Sequence, residues 1–95
     1  MVGDVYELFS SVAPAAYLEV KPASGKEVVI HNVYHPDAIN LKLVKGTDEL
    51  DFLDEAGKSV LTGMYLHLTN TQFLRIYNTA LGAIFIAVDG IKTKD

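Results

Sequence analysis

The 95 residues make one small domain with a net charge of −4, no cysteine and 49% hydrophobic residues. The lack of cysteine excludes disulfides, thiolate metal sites and thiol catalysis, and the acidic balance argues against nucleic acid as a direct partner. The longest apolar run, Leu81–Val88, falls well short of the roughly 20 residues that cross a bilayer, so we expect no membrane contact. We expect the protein to be made in a cytoplasm.

Residues 1–13 fit two interpretations. Val5, Leu8, Phe9 and Val12 follow a helical spacing, while the same stretch also alternates with the period of a strand. Because all later segments have β character, we favour a first strand or an N-terminal arm.

The middle of the chain consists of short β-forming runs separated by turn residues. Pro22 and Gly25 predict one turn and Gly46 another, since proline fixes φ and glycine tolerates positive φ. Strands are predicted over Ala15–Val20, Lys26–Tyr34, Ile39–Leu43 and Leu50–Leu53, with a brief extended segment over Ser59–Thr62.

Three further runs occupy Met64–Val88 with only turn residues between them, and they predict an antiparallel meander. After them, Asp89 and Gly90 predict a turn or bulge, and Ile91–Lys94 can extend the last strand. The chain as a whole has about eight short strands at the spacing typical of sandwiches and barrels. We therefore expect a single all-β domain, an antiparallel β-sandwich with jelly-roll-like topology.

Two of these strands, Lys26–Tyr34 and Ala83–Val88, are apolar on both faces. A domain this small has too little volume to cover both faces of both strands, so one face is expected to pack against another copy or a larger partner. The residues predicted for this interface are Val29, Val33, Phe85 and Ala87, joined by Tyr6 and Phe9 from the first segment.

Metal binding and catalysis find little support. The candidates for a metal site with nitrogen ligands are His31, His35 and His67, together with the carboxylate of Asp37. His31 and His35 are four residues apart, a spacing that puts two ligands on one face of a helix but not of a strand that Pro36 interrupts. The acidic residues within 48–55 lack the glycine and closing glutamate of an EF-hand and instead indicate a solvated edge strand. Nucleophile elbows and phosphate loops are absent. We expect no enzymatic activity, no metal and no cofactor.

Aromatic side chains offer an alternative function, because sugars stack on exposed rings. A carbohydrate-binding module would use some of the five tyrosines, which are Tyr6, Tyr17, Tyr34, Tyr65 and Tyr77. Aromatic residues in strands more often form core and cross-strand pairs.

The segments YLEVKPASGKEVVIHNVYH, KGTDELDFLDEAG, HLTNTQFLRIYNT and VDGIKTK together resemble small all-β virion proteins of tailed bacteriophages, of the head-decoration or tail-accessory kind. The resemblance covers residues 17–94. It implies a noncatalytic protein, located in the virion, that binds the major capsid or tail protein and stabilises or decorates the particle. It also implies self-association, often as a trimer.

Overall fold

The computed structural model describes all residues from Met1 to Asp95 and contains nine β-strands in two antiparallel sheets. No helix of a length and apolarity suited to crossing a membrane is present. The strands are β1 (Val5–Val12), β2 (Tyr17–Val20), β3 (Glu27–His35), β4 (Ile39–Lys45), β5 (Asp48–Glu55), β6 (Ser59–Leu61), β7 (Leu66–Leu68), β8 (Gln72–Asn78) and β9 (Ile84–Lys94).

The first sheet has the order β1-β9-β3-β6, and β7 pairs with β3 at the other end of that strand; the second sheet has the order β2-β8-β4-β5. The predicted single-domain β-sandwich is confirmed. Of the two interpretations of the N-terminal segment, the strand is the one observed, since β1 pairs with β9 along its whole length.

The predicted meander over residues 64–88 is wrong. β7 joins β3 in the first sheet, β8 lies between β2 and β4 in the second, and β9 returns to the first sheet between β1 and β3. Alternating apolar residues mark a strand with one buried face, but they do not say which strand pairs with it. β7 and β9 therefore lie in the first sheet and β8 lies in the second, and none of the three strands pairs with another of them.

The core lies between the two sheets and is made almost entirely of aliphatic side chains. Twelve buried residues form one cluster, to which both sheets contribute: Val12, Val20, Val28, Ile30, Val33, Ile39, Leu41, Leu68, Leu74, Ile76, Ile86 and Val88. Their burial is the main stabilising term in a domain without disulfides.

One buried polar side chain links the two sheets. Asn78 of β8 is fully buried, and its Nδ2 donates to the carbonyl oxygens of Val12 and Gly82, each at 2.9 Å. Its Oδ1 accepts a hydrogen bond of 2.8 Å from the backbone N–H of Ala80. Because Val12 belongs to β1, Asn78 fixes the position of the second sheet against the edge of the first while satisfying its own polar groups.

β5 forms one edge of the second sheet and carries five carboxylates, on Asp48, Glu49, Asp51, Asp54 and Glu55. Asp51 and Asp54 both accept hydrogen bonds from Nδ2 of Asn40 on the neighbouring strand. Negative charge along an edge strand discourages pairing with the edge of another chain.

The contact between β3 and β9 contains a β-bulge opposite Gly90. The register shifts between Ile30 and Asn32, so that Ile30 pairs with Gly90 and Asn32 with Asp89, while His31 is the additional residue. Gly90 is where the two backbones come closest, and a Cβ there would overlap the carbonyl oxygen of Val29 and lie 2.9 Å from the Cα of Ile30. Only glycine fits this position.

We expect Gly90→Ala to lower the free energy of unfolding by more than about 3 kcal/mol, because the added methyl group must displace backbone rather than a movable side chain. Urea denaturation measures the change. Gly57→Ala is the matched control, since a Cβ at Gly57 meets nothing within 4 Å, and it should change stability by less than about 1 kcal/mol. Equal stability of the two variants would contradict the close approach.

Candidate functional site

An apolar patch crosses the outer face of the first sheet. In the strand register Phe9 lies opposite Ala87, Ala87 opposite Tyr34, and Tyr34 opposite Val60. These four side chains form one row across β1, β9, β3 and β6. Phe85 lies on β9 two residues before Ala87, and therefore on the same face. We call these five residues the apolar patch.

The aromatic rings of the patch are exposed. Phe9 and Phe85 expose 73% and 57% of their surface, although their ring centroids lie 5.2 Å apart in a tilted pair. Val60 exposes 48%. A depression of about 600 Å³ lies over the patch, and Pro36 and Lys58 extend its lining. Large apolar side chains grouped on one face in this way are characteristic of an interaction surface.

Three of the six residues predicted for the interface lie together in the patch: Phe9, Phe85 and Ala87. The other three do not lie on it. Val33 is fully buried in the core, and Val29 is 2% exposed where it pairs with Ile91 and His67 on the outer face. Tyr6 is turned inward against the core, where burial raises the pKa of its phenol.

The bulge explains the placement of Val33. Val29 and Val33 are four residues apart, so an uninterrupted strand would present both on one face. His31 is an extra residue in β3, and an insertion of one residue reverses the faces beyond it. Val33 therefore points inward and Tyr34 outward.

Two members of the patch, Tyr34 and Val60, were not predicted. The Asp89-Gly90 pair was the available sign of a bulge, but the bulge proved to lie in the partner strand, β3. Val60 belongs to a strand of three residues, β6, whose sequence carries too few positions to show alternation.

A polar row borders the patch on one side. Asp89 accepts hydrogen bonds from Nδ2 of Asn32, at 2.6 Å, and from the phenol of Tyr34. Glu7 stands next to Asp89 on β1 and makes no ion pair within the chain. The hydrogen bond to Asp89 raises the pKa of Tyr34 above its ordinary value near 10, and it ties the phenol of Tyr34 to the polar row.

We expect Asp89→Asn to lower the pKa of Tyr34, because a neutral acceptor no longer disfavours the phenolate. The raised pKa in the folded state means that this bond stabilises the protein below pH 10, and that the stabilisation is lost as the pH rises through the pKa of Tyr34. NMR titration of the tyrosine ¹³Cζ signals measures the pKa of Tyr34 in both proteins. Asp48→Asn, on the other sheet, is the control, and an unchanged titration in Asp89→Asn would contradict the bond.

The outer face of the second sheet combines aromatic rings with charges. Tyr17 and Tyr77 lie 5.0 Å apart between ring centroids. The guanidinium of Arg75 lies over the ring of Tyr17, and Nζ of Lys42 lies over the ring of Tyr77, each at 4.7 Å. Arg75 also contacts Glu19 and Glu49 at 3.4 and 3.5 Å. These rings are thus covered by cations of the same chain.

The histidines and carboxylates do not converge. Nδ1 of His35 donates to the carbonyl oxygen of Asp37 at 3.0 Å, while Nε2 of His67 lies 2.6 Å from Glu27. His31 instead packs near the ring of Tyr65, with ring centroids 6.3 Å apart. No group of three or more potential metal ligands comes together in the structure.

No protein-family model matches the sequence, and no curated protein matches it either. The patch itself contains no nucleophile and no ionisable group other than the phenol of Tyr34. What it offers is exposed aromatic and aliphatic surface that contact with another surface would bury, with polar groups along one border.

Proposed function

We propose that this chain is a noncatalytic virion structural protein that self-associates and binds the surface of a capsid or tail, which it stabilises or decorates. The observation that carries the proposal is the apolar patch, in which Phe9 and Phe85 stand largely exposed on a sheet whose other face is already buried. Removing apolar surface from water contributes about 25 cal/mol per Å². A partner on the patch gains that energy without rearranging the fold.

The strand orders support this function at the level of topology. With the short β7 set aside, the two sheets have the orders β1-β9-β3-β6 and β2-β8-β4-β5. Strands at the same place in the two orders are neighbours in the sequence: β1 and β2, β9 and β8, β3 and β4, and β6 and β5. We propose that this is the jelly-roll arrangement, which recurs in viral capsid and lectin domains. Proteins with one topology have many different functions, so the apolar patch is the more specific observation.

A carbohydrate-binding module is the alternative, and the geometry favours it less. Sugars stack on the open face of a ring, whereas Arg75 and Lys42 cover Tyr17 and Tyr77. Glycan-array binding that is lost in Tyr17→Ala would support this alternative over the first. The absence of binding in the unchanged protein would remove it.

We expect Phe85→Asp to weaken self-association at least tenfold and to leave the melting temperature nearly unchanged. The carboxylate would be desolvated in the interface but stays in water in the free subunit, where residue 85 is exposed. Sedimentation velocity over a range of micromolar concentrations measures both the mass and the affinity.

Tyr65→Asp is the matched control for Phe85→Asp. Tyr65 is 77% exposed and lies outside the patch, so this variant should assemble like the unchanged protein. A Phe85→Asp variant that unfolds would assign Phe85 to the core, and an unchanged protein that remains monomeric would contradict self-association.

Binding to a particle is tested separately. Virions of a virus whose genome encodes this chain should carry the chain in a fixed ratio to the major capsid or tail protein. Quantitative mass spectrometry of the purified virions measures that ratio. Virions that form without the chain should bind the purified protein, and Phe85→Asp should bind them less. Particles that neither contain nor bind the chain would contradict the virion assignment.

A further inference from the structure

We propose that the apolar patch pairs with the same patch of a second copy through a two-fold axis, with Glu7 of each copy facing Lys58 of the other. The proposal rests on the proposed function, because it specifies the partner and geometry of that self-association. It begins from two charges at the border of the patch that have no partner within the chain.

The two charges stand at opposite corners. Lys58 precedes Ser59 at the β6 end, and it lines the depression over Phe9 and Phe85. Glu7 lies two residues before Phe9 on β1, and lines an adjoining depression together with Asp89. β1 and β6 are the outer strands of the four that the patch crosses. The patch is therefore negative at one corner, positive at the diagonally opposite corner and apolar between them.

This pattern is self-complementary. In a two-fold contact the same surface meets itself, so residue i contacts j and residue j contacts i. A two-fold axis that lies in the plane of the face and exchanges the two corners brings Glu7 against Lys58 twice. A partner of uniform charge would leave one of the two corners facing a like charge.

The same axis also suits the aromatic pair. Neighbouring strands are about 4.8 Å apart, and residues i and i+2 of one strand are about 6.8 Å apart. With these spacings, the axis that exchanges the corners at Glu7 and Lys58 passes close to the Phe9–Phe85 pair. The pairs of the two copies then meet each other. The strands of the two copies cross roughly at right angles, which is one of the two arrangements in which sheets pack face to face.

The geometry also bears on the number of copies. A patch that meets itself joins subunits in twos, whereas a trimer joins two different surfaces of each subunit. We therefore expect a dimer or an even multiple, rather than the trimer that the resemblance implies.

Charge reversal tests the pairing. Glu7→Lys and Lys58→Glu should each raise the dissociation constant about tenfold, because each places two like-charge pairs in the dimer. The double variant Glu7→Lys/Lys58→Glu should return to within about threefold of the unchanged protein. An equimolar mixture of the two single variants should also associate, since the mixed dimer has opposite charges at both contacts. Sedimentation equilibrium at low ionic strength measures all four.

Asp48→Lys is the control for an added positive charge, since Asp48 lies on the edge of the other sheet and makes no ion pair; it should leave the dissociation constant unchanged. Single variants that assemble as tightly as the unchanged protein would overturn the pairing of Glu7 with Lys58, and an odd-numbered assembly would overturn the two-fold axis. Either result leaves self-association intact if Phe85→Asp still separates the subunits. A monomeric unchanged protein would instead contradict the proposed function itself.

Discussion

The close approach of β3 and β9 at Gly90 determines which side chains the first sheet presents to solvent. The two backbones meet where no Cβ fits, and β3 carries one additional residue at that point. From there on its side chains exchange faces, so that Val33 enters the core and Tyr34 joins the exposed row. Without this one-residue shift Val33 would take the place of Tyr34 in the row beside Ala87, and the phenol that donates to Asp89 would point inward.

The two outer faces of the sandwich differ in what covers their aromatic rings. On the second sheet, cations of the same chain cover Tyr17 and Tyr77, and carboxylates of the same chain neutralise Arg75. On the first sheet, Phe9 and Phe85 have only each other. The rings of one outer face are thus covered within the chain, whereas the other face has exposed apolar side chains and two charges, Glu7 and Lys58, that make no ion pair.

Much of the architecture could be predicted from periodicity alone. Short runs with a period of two, punctuated by glycine and proline, identified an all-β sandwich. Phe85 and Ala87 were chosen for a different reason, because their strand is apolar on both faces, and Phe9 was added from the first segment; all three lie on the outer face of the first sheet. The pairing of the strands could not be predicted, because alternation in β7 and β8 shows a buried face but not the strand beside it. The bulge in β3 escaped for a related reason: it lies opposite Gly90, which is on the neighbouring strand, sixty residues away from Ile30 in the sequence. The composition of the candidate site was therefore predicted in part, while Tyr34 and Val60 depended on contacts distant along the chain.

The carboxylates of β5 limit how such a protein can grow. An open sheet edge can recruit strand after strand, and an assembly that adds subunits in this way has no natural end. Here the edge of the second sheet is lined with negative charge, so copies that approach edge to edge repel one another. The self-association proposed above uses the outer face of the first sheet instead, and a face that meets itself in a two-fold contact is covered by that contact. A contact through a face that meets itself joins a fixed number of copies, unlike pairing along a sheet edge.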